Sequence, residues 1–363
     1  MSDRFDSIEV ERRNLLLEQL PEDVISAFDA AESVNLEFGL PWLRNLAATA
    51  LPPDESAWLY IARSAHGDFV AMPMRLNTKK REVHALSNWY SSLWSPIIHC
   101  DKPRLLYEAI LCFIGSERLV SLTLSPLDPK STCFDDLQTA LLGTPWNGIH
   151  TWNCFANWIH PLQHHDYRAY LAGRPSRVRN TIRRKRRRFL EGGVGQLSII
   201  DDTRSAPDAT DQFLAVYDQS WKPREPFPAF IPGLLETASK QHWLRLGIAK
   251  YDGKPVAAQI WLVANGTAAI FKLAYHKDYR SLSPGTVLTA HMMKHVMDID
   301  KVTTIDYLTG DDEYKKDWMS VQRERRGIAA YNTATIRGWS MKLSKGLKTL
   351  IKKKISMSRS ELS

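Results

Sequence analysis

The chain has 363 residues, of which 44% are hydrophobic, and a formal net charge of +8. That length favours two domains of about 150 residues over one, and the apolar share excludes disorder as the default state. No apolar run approaches the roughly 18 residues of a membrane-spanning helix, and the start MSDRFDSIEVERRN is too charged for a signal peptide. The expectation is a soluble, cytoplasmic protein.

The positive charge is concentrated in two segments. Residues 168–188 carry ten Arg or Lys and no acid, and residues 337–363 carry eight basic residues against Glu361 alone. With both removed the remainder is acidic, so the basic character is delivered locally. Cys100, Cys112, Cys133 and Cys154 lack CxxC or CxxH spacing, which predicts buried free thiols and no metal site.

In chain order, residues 11–49 read as two or three helices punctuated by Pro21 and Pro41, with residues 23–31 the clearest of them. Two β runs, 58–63 and 68–76, meet at His66-Gly67, the signature of a hairpin. A strand near 82–86, a helix over 102–115, a strand over 118–124, a helix over 133–142 and a strand over 153–159 complete a mixed α/β half. His164-His165-Asp166 reads as a helix start. The basic segment then forms a helix between Pro175-Ser176 and Gly192-Gly193, with Val178, Ile182 and Phe189 as its thin apolar stripe.

The second half repeats the order: a strand at 196–200, helices at 209–221 and 231–242, and strands at 244–251 and 256–263 joined at Asp252-Gly253. A buried strand follows at 268–275. A loop with Arg280 and Ser283 leads to Pro284-Gly285, which opens a helix with Val287, Leu288, Met292 and Val296 at helical spacing. The last strand is predicted at 302–308. Strand, loop and helix start converge backbone N–H groups and a positive helix end on one point, and such a point binds anions. The shared order of the halves suggests a tandem duplication. The tail repeats Trp339, Leu343, Leu347, Ile351 and Ile355 every four residues among lysines, the pattern of a basic amphipathic helix.

Residues 279–288, YRSLSPGTVL, resemble the pyrophosphate loop of the GNAT acyltransferase superfamily, with Ser283 where that pattern has Gly. Followed by Asp306 at a strand end, Gly310-Asp311, Tyr314-Lys315 and Trp318, the stretch resembles the FemAB-like branch, including the CelD-like or cellulose-biosynthesis acetyltransferases. The resemblance is best over residues 165–331. It implies an α/β (α+β) fold of tandem GNAT-like domains, each a mixed central sheet flanked by helices: a domain over 1–163, a basic connecting helix over 164–194, an acyltransferase domain over 195–335 and the tail over 336–363.

The activity it implies is transfer of an acyl group from acetyl-CoA or another acyl-CoA, without a metal. The acceptor would be an amine or hydroxyl of an amino sugar, polysaccharide or other envelope precursor, lipid- or sugar-linked. Tyr279, Arg280, Ser283, Gly285 and Thr286 are then the donor-phosphate candidates. Asp306, or Asp311 with Asp312, are candidates for general base or for orienting the acceptor amine. Lys315 either stabilises the oxyanion or pairs with Asp311 or Asp312. Trp221, Tyr275, Tyr314 and Trp318 are candidates for an acceptor or pantetheine groove, although aromatics more often serve the core. Two other functions stay open: aminoacyl transfer from charged tRNA, and a non-catalytic protein binding nucleic acid or membrane through its basic helices. No aromatics interleave the arginines, which weighs against a single-stranded nucleic-acid site. The tail suggests a peripheral contact at the inner face of the membrane.

Overall fold

The computed structural model describes residues 7–164, 166–202 and 204–344. These fall into two compact units, one of residues 7–31, 37–154 and 324–344, the other of residues 32–36 and 155–323.

In the first unit β1 (Ile8–Asn14) is followed by α1 (Glu22–Glu32) and α2 (Leu40–Thr49). Then come β2 (Glu55–Ser64), β3 (Phe69–Asn77), β4 (Glu82–Ala85), β5 (Ile97–His99), α3 (Arg104–Ser116), β6 (Ser121–Leu127) and α4 (Thr132–Leu142). The sheet order is β1-β2-β3-β4-β6, and residues 324–331 of β13 (Val321–Tyr331) lie beside β6. β4 and β6 run parallel, while β1, β2, β3 and β13 pair antiparallel with their neighbours. The hairpin turns at Gly67, whose φ of +88° suits a residue without Cβ. Tyr60, Met72, Tyr107, Ile110, Leu122, Leu137 and Trp146 form the buried centre, where α3 and α4 cover the sheet.

The second unit opens with residues 155–161 of β7 (His150–Pro161). Next come α5 (Tyr167–Ala172), α6 (Ser176–Leu190), β8 (Gly195–Ile200), α7 (Ala206–Asp218), α8 (Phe230–Lys240), β9 (Leu244–Tyr251), β10 (Lys254–Ala264) and β11 (Thr267–Tyr275). It closes with α9 (Pro284–Asp298), β12 (Thr304–Asp306) and α10 (Lys315–Trp318). Its sheet order is β8-β9-β10-β11-β12-β7, again with one parallel pair, β11 and β12. Asp166 caps α5 by accepting from the Arg168 N–H at 2.8 Å. The arginine-rich α6 buries only Val178, Ile182 and Phe189 and ends where Gly192 and Gly193 take positive φ. It packs on α9.

The two units trace the same path. Two helices separate the first two strands, a meander follows, and a helix carries the chain over to a parallel strand. The difference lies in the final strand: residues 324–331 complete the sheet of the first unit and residues 155–161 that of the second. Linear boundaries at 163 and 195 therefore do not describe the units, because main-chain pairing takes each last strand from the opposite end of the chain. α6 belongs to the second unit rather than forming a separate connector.

Three strands depart from the sequence reading, the short β5 among them. Helices were expected from residue 11, yet β1 occupies 8–14, and β13 was not anticipated. The four cysteines are free but half-buried rather than buried. Residues 336–344 are helical, leaving Ile336, Trp339 and Leu343 exposed, and the rest of the amphipathic repeat lies outside the described residues.

Candidate functional site

β12 pairs with β11 over only three positions, Thr267↔Thr304 to Ala269↔Asp306. β11 continues to Tyr275, still paired with β10 on its other side. Where Ile260 faces Lys272 and Trp261 faces Ile270, Phe271 is the extra residue of a β-bulge, and such a bulge bends its strand and sharpens the twist. From Ile270 onward β11 therefore presents an edge on the β12 side without a strand partner among the described residues. The two parallel strands part into a mouth, and most of the sequence candidates lie on the elements that border it, Trp318 excepted.

At the far end of β11 the chain makes a 3-10 turn (Lys277–Leu282) and enters α9 through Ser283, which is left-handed at φ +52° and supplies no side-chain cap. The amides of Gly285 and Thr286 are first-turn donors without an intrahelical acceptor. Arg280 stands beside them, exposed and with no ion-pair partner among the described residues. The first turn is held from below: buried Gln259 of β10 donates to the Gly285 carbonyl at 3.0 Å and to Thr289 Oγ1 at 2.8 Å. A Cβ on Gly285 would sit 3.3 Å from the Tyr275 ring. Glycine thus lets Tyr275 lie against the helix start, and Trp221 packs on Tyr275 with ring centroids 4.4 Å apart and planes tilted by 44°. Tyr279 packs edge-on to Tyr251 and His276.

Beyond β12, Asp306 is engaged on both oxygens. Oδ1 accepts from Asn157 Nδ2 at 2.6 Å and from the Leu308 N–H at 2.7 Å, and Oδ2 accepts from Arg323 Nη2 at 2.7 Å. Asn157, only 1% exposed, also donates to the Leu308 carbonyl and accepts from Arg323 Nε. This latch fixes the start of the loop 307–314. Asp311 lies further out, its Oδ1 accepting from Trp158 Nε1 at 2.6 Å and Gln322 Nε2 at 2.7 Å.

Lys315 turns back into the loop it follows and is only 4% exposed. Its ammonium donates to the carbonyls of Thr309 and, at 3.3 Å, Gly310, and stands 3.3 Å from Asp312 Oδ2. The sequence left open whether Lys315 meets an oxyanion or a loop carboxylate; in the structure its contacts are with the loop. Gly310 has φ +99° and a Cβ there would lie 3.2 Å from Lys315 Nζ, so the close approach needs glycine. Burial pushes the Lys315 pKa down, against the opposing pull of Asp312. Tyr314 packs edge-on to Tyr307 at 5.7 Å and as a residue is 45% exposed. Trp318 is buried in the core with its carbonyl bound by the Tyr170 hydroxyl, so it packs the unit and does not line the mouth.

The segment 219–225, between α7 and α8, joins the two sides. Trp221 covers Tyr275. The adjacent Lys222 feels Lys272 of β11, Glu225, Asp312 and Lys315, and burial foremost, then Lys272, brings its pKa down to about 8. Lys272 is itself paired with Glu225 at 2.6 Å. The Lys222 backbone N–H donates to Ser220 Oγ at 3.2 Å, but its ammonium has no hydrogen-bond or ion-pair partner among the described residues. Sequence reasoning missed Lys222, Lys272, Glu225, Asn157 and Gln259. A cleft of about 450 Å³ between α7 and α8, lined by Asp211, Glu236 and Lys240 among others, contains none of the candidates.

Residues 176–316 match the family model described as acetyltransferase (GNAT) domain. The GNAT segment runs from the first residue of α6 into α10 and so takes in the mouth and the helix start. Among solved structures, FemX is similar over 88% of this chain and 96% of its own, with TM-score 0.59 and 10% identity. A conserved protein of unknown function from Bacteroides thetaiotaomicron VPI-5482 follows at TM-score 0.54 and 12% identity, covering 86% and 98%. A tandem GNAT protein from the clavulanic acid biosynthesis pathway gives TM-score 0.52 and 14% identity, covering 89% and 98%. At such identities the likeness is one of fold: mixed α/β, GNAT-like units in tandem. No curated protein matches the chain significantly.

Proposed function

We propose that the chain moves an acyl group from acyl-CoA to an amine or hydroxyl of an amino-sugar, polysaccharide or other envelope precursor, as a FemAB-like, CelD-like acyltransferase. The parting of β11 and β12, with an uncapped helix start at its rim, carries this reading. The donor's pyrophosphate lies against the Gly285 and Thr286 amides beside Tyr279, Arg280 and Ser283. Its thioester carbonyl follows the open edge of β11, where strand N–H groups can meet the developing oxyanion. Trp221, Tyr275 and Tyr314 flank the acceptor and the pantetheine arm. Lys222 in its neutral form takes the proton of the attacking amine or hydroxyl, since burial among cations is how a lysine becomes a base near neutral pH. The nucleophile bonds to the carbonyl carbon, the C–S bond breaks, and CoA leaves as its thiol. Asp311 orients the acceptor, while Asp306 and Lys315 position the loop that carries it.

Acyl-CoA is expected to raise the melting temperature of the whole protein, because a ligand of the folded state stabilises it by mass action. Stabilisation by aminoacyl-tRNA with none by acyl-CoA would instead favour the aminoacyl donor, and stabilisation by neither would favour a non-catalytic binder. Gly285→Val is expected to push Tyr275 and Trp221 aside and to raise the apparent KM for acyl-CoA by about tenfold or more, corresponding to about 1.4 kcal/mol. An unchanged KM would place the donor elsewhere.

The tail supports a second contact, with an anionic membrane, because Ile336, Trp339 and Leu343 present apolar surface to solvent. The intact chain is expected to sediment with anionic vesicles at low salt and to release at high salt, where screening weakens surface attraction. Equal sedimentation after removal of residues 338–363 would exclude the tail as the contact.

A further inference from the structure

The arginines of α6 are left unexplained by the acyl-transfer site. No acid interrupts the helix from Ser176 to Leu190. Arg177 pairs with Asp317 at 2.5 Å, but Arg184, Arg187 and Arg188 are exposed and meet no acid among the described residues. Like charges on neighbouring turns repel, so the row is held together at a cost that a bound anion would offset. The helix is also docked at one particular place. Lys185 Nζ donates to the Ser281 carbonyl at 2.7 Å, two residues before Ser283 and the start of α9. Arg186 projects to the other side, where its charge acts on His291 of α9 and Tyr167 of α5.

At about 100° per residue, Arg184 and Arg188 fall on the flank of Lys185 that lies away from Arg186. This flank is also that of Arg177, whose partner Asp317 belongs to α10. Arg188 is about 4.5 Å further along the axis than Lys185. Two long cationic side chains therefore flank the lysine that ties α6 to the donor-phosphate turn.

We propose that Arg184 and Arg188 hold the terminal phosphate of the donor's nucleotide, the 3′-phosphate of CoA, with Lys185 fixing α6 against the turn that receives the pyrophosphate. The inference rests on the acyl-CoA reading of that turn. A planar guanidinium binds a phosphate dianion through paired N–H donors, and two of them can share its three oxygens. The same chemistry could meet the backbone of a polynucleotide. The anchoring at Ser281 favours the small nucleotide, because a ligand reaching both this flank and the pyrophosphate turn must itself carry a pyrophosphate, which the acyl-bearing end of a tRNA does not.

The test is calorimetric titration of the full chain with CoA and with 3′-dephospho-CoA. The native protein is expected to prefer CoA by about ten- to a hundredfold, the effect of one or two charge-assisted contacts. In the Arg184→Gln/Arg188→Gln double variant this preference is expected to fall to near one, and Arg188→Lys should restore part of it. On the opposite face, Arg183→Gln/Arg187→Gln should leave the preference as it was. Equal affinity of the native protein for the two ligands would overturn the inference while leaving the donor reading intact. An equal loss in both double variants would also overturn it, since only a diffuse field would be acting. Competition by uncharged tRNA that is sensitive to Arg183 and Arg187 would assign the helix to a polynucleotide. Absence of binding by either CoA or its dephospho form would remove the acyl-CoA reading and this inference with it.

Discussion

Lys315→Ala is expected to lower the melting temperature and to reduce kcat and kcat/KM together, the latter by about a hundredfold or more. The ammonium satisfies the Thr309 and Gly310 carbonyls and is paired with Asp312, which stays 60% exposed. Truncation returns Asp312 to water at little cost but strips two half-buried carbonyls of their donor, at about 1 kcal/mol or more. The loop 307–314 then loses the tie that places Asp311 and Tyr314 at the mouth, and misplacement by about an ångström can cost about a hundredfold in rate. Calorimetry and steady-state kinetics on the same variant separate the two effects. An unchanged melting temperature would contradict the loop-tie account, and an intact kcat would remove Lys315 from the mechanism altogether.

The spine of the second unit was legible because its signals are local. The apolar run of β11, the Pro-Gly start of α9 and the apolar spacing along that helix each identify one element without reference to any other. β1 and β13 failed for the opposite reason. In IEVERRN the charged residues outnumber the apolar ones, and in VQRERRGIAAY the charged run Arg323 to Arg326 breaks the alternation, so their strand character comes from pairing with β2 and β6. Arg12 shows how such a strand tolerates its charges: it lies over the Trp58 ring at 4.5 Å and pairs with Glu117 at 2.6 Å.

The same division runs through the site. Arg280, Ser283 and Gly285 are proposed from a contiguous motif. Asn157 meets Asp306, and Lys222 meets the field of Lys272, only through the fold, from positions dozens of residues apart, and no spacing rule links them. Trp221 and Trp318 look alike as letters, yet one is 53% exposed over Tyr275 and the other is 7% exposed in the core. Distinguishing them requires knowing which face each element buries.

Lys222→Met is expected to make the protein more stable at pH 7 and far less active, a pairing that a merely structural lysine would not produce. In the folded chain the Lys222 pKa is brought from 10.5 to about 8, chiefly by burial and then by Lys272. Below pH 8 folding must bury a charge that the unfolded chain keeps in water, and this opposes stability. Between about pH 8 and 10.5 the unfolded chain binds the proton that the folded one has released, so native stability contributed by this group rises with pH across that window. Methionine fills a similar volume without a charge, so the gain in melting temperature over the native protein should be largest at pH 7 and shrink toward pH 10. Activity should move the other way. If neutral Lys222 accepts the proton of the attacking group, native kcat/KM climbs through pH 8, whereas the variant is flat there and lower by about a hundredfold or more, the usual worth of a positioned base. A native profile falling through pH 8 would mean that the cation, and not the free amine, serves the reaction. A variant with native kcat/KM and no change in profile would leave Lys222 outside it.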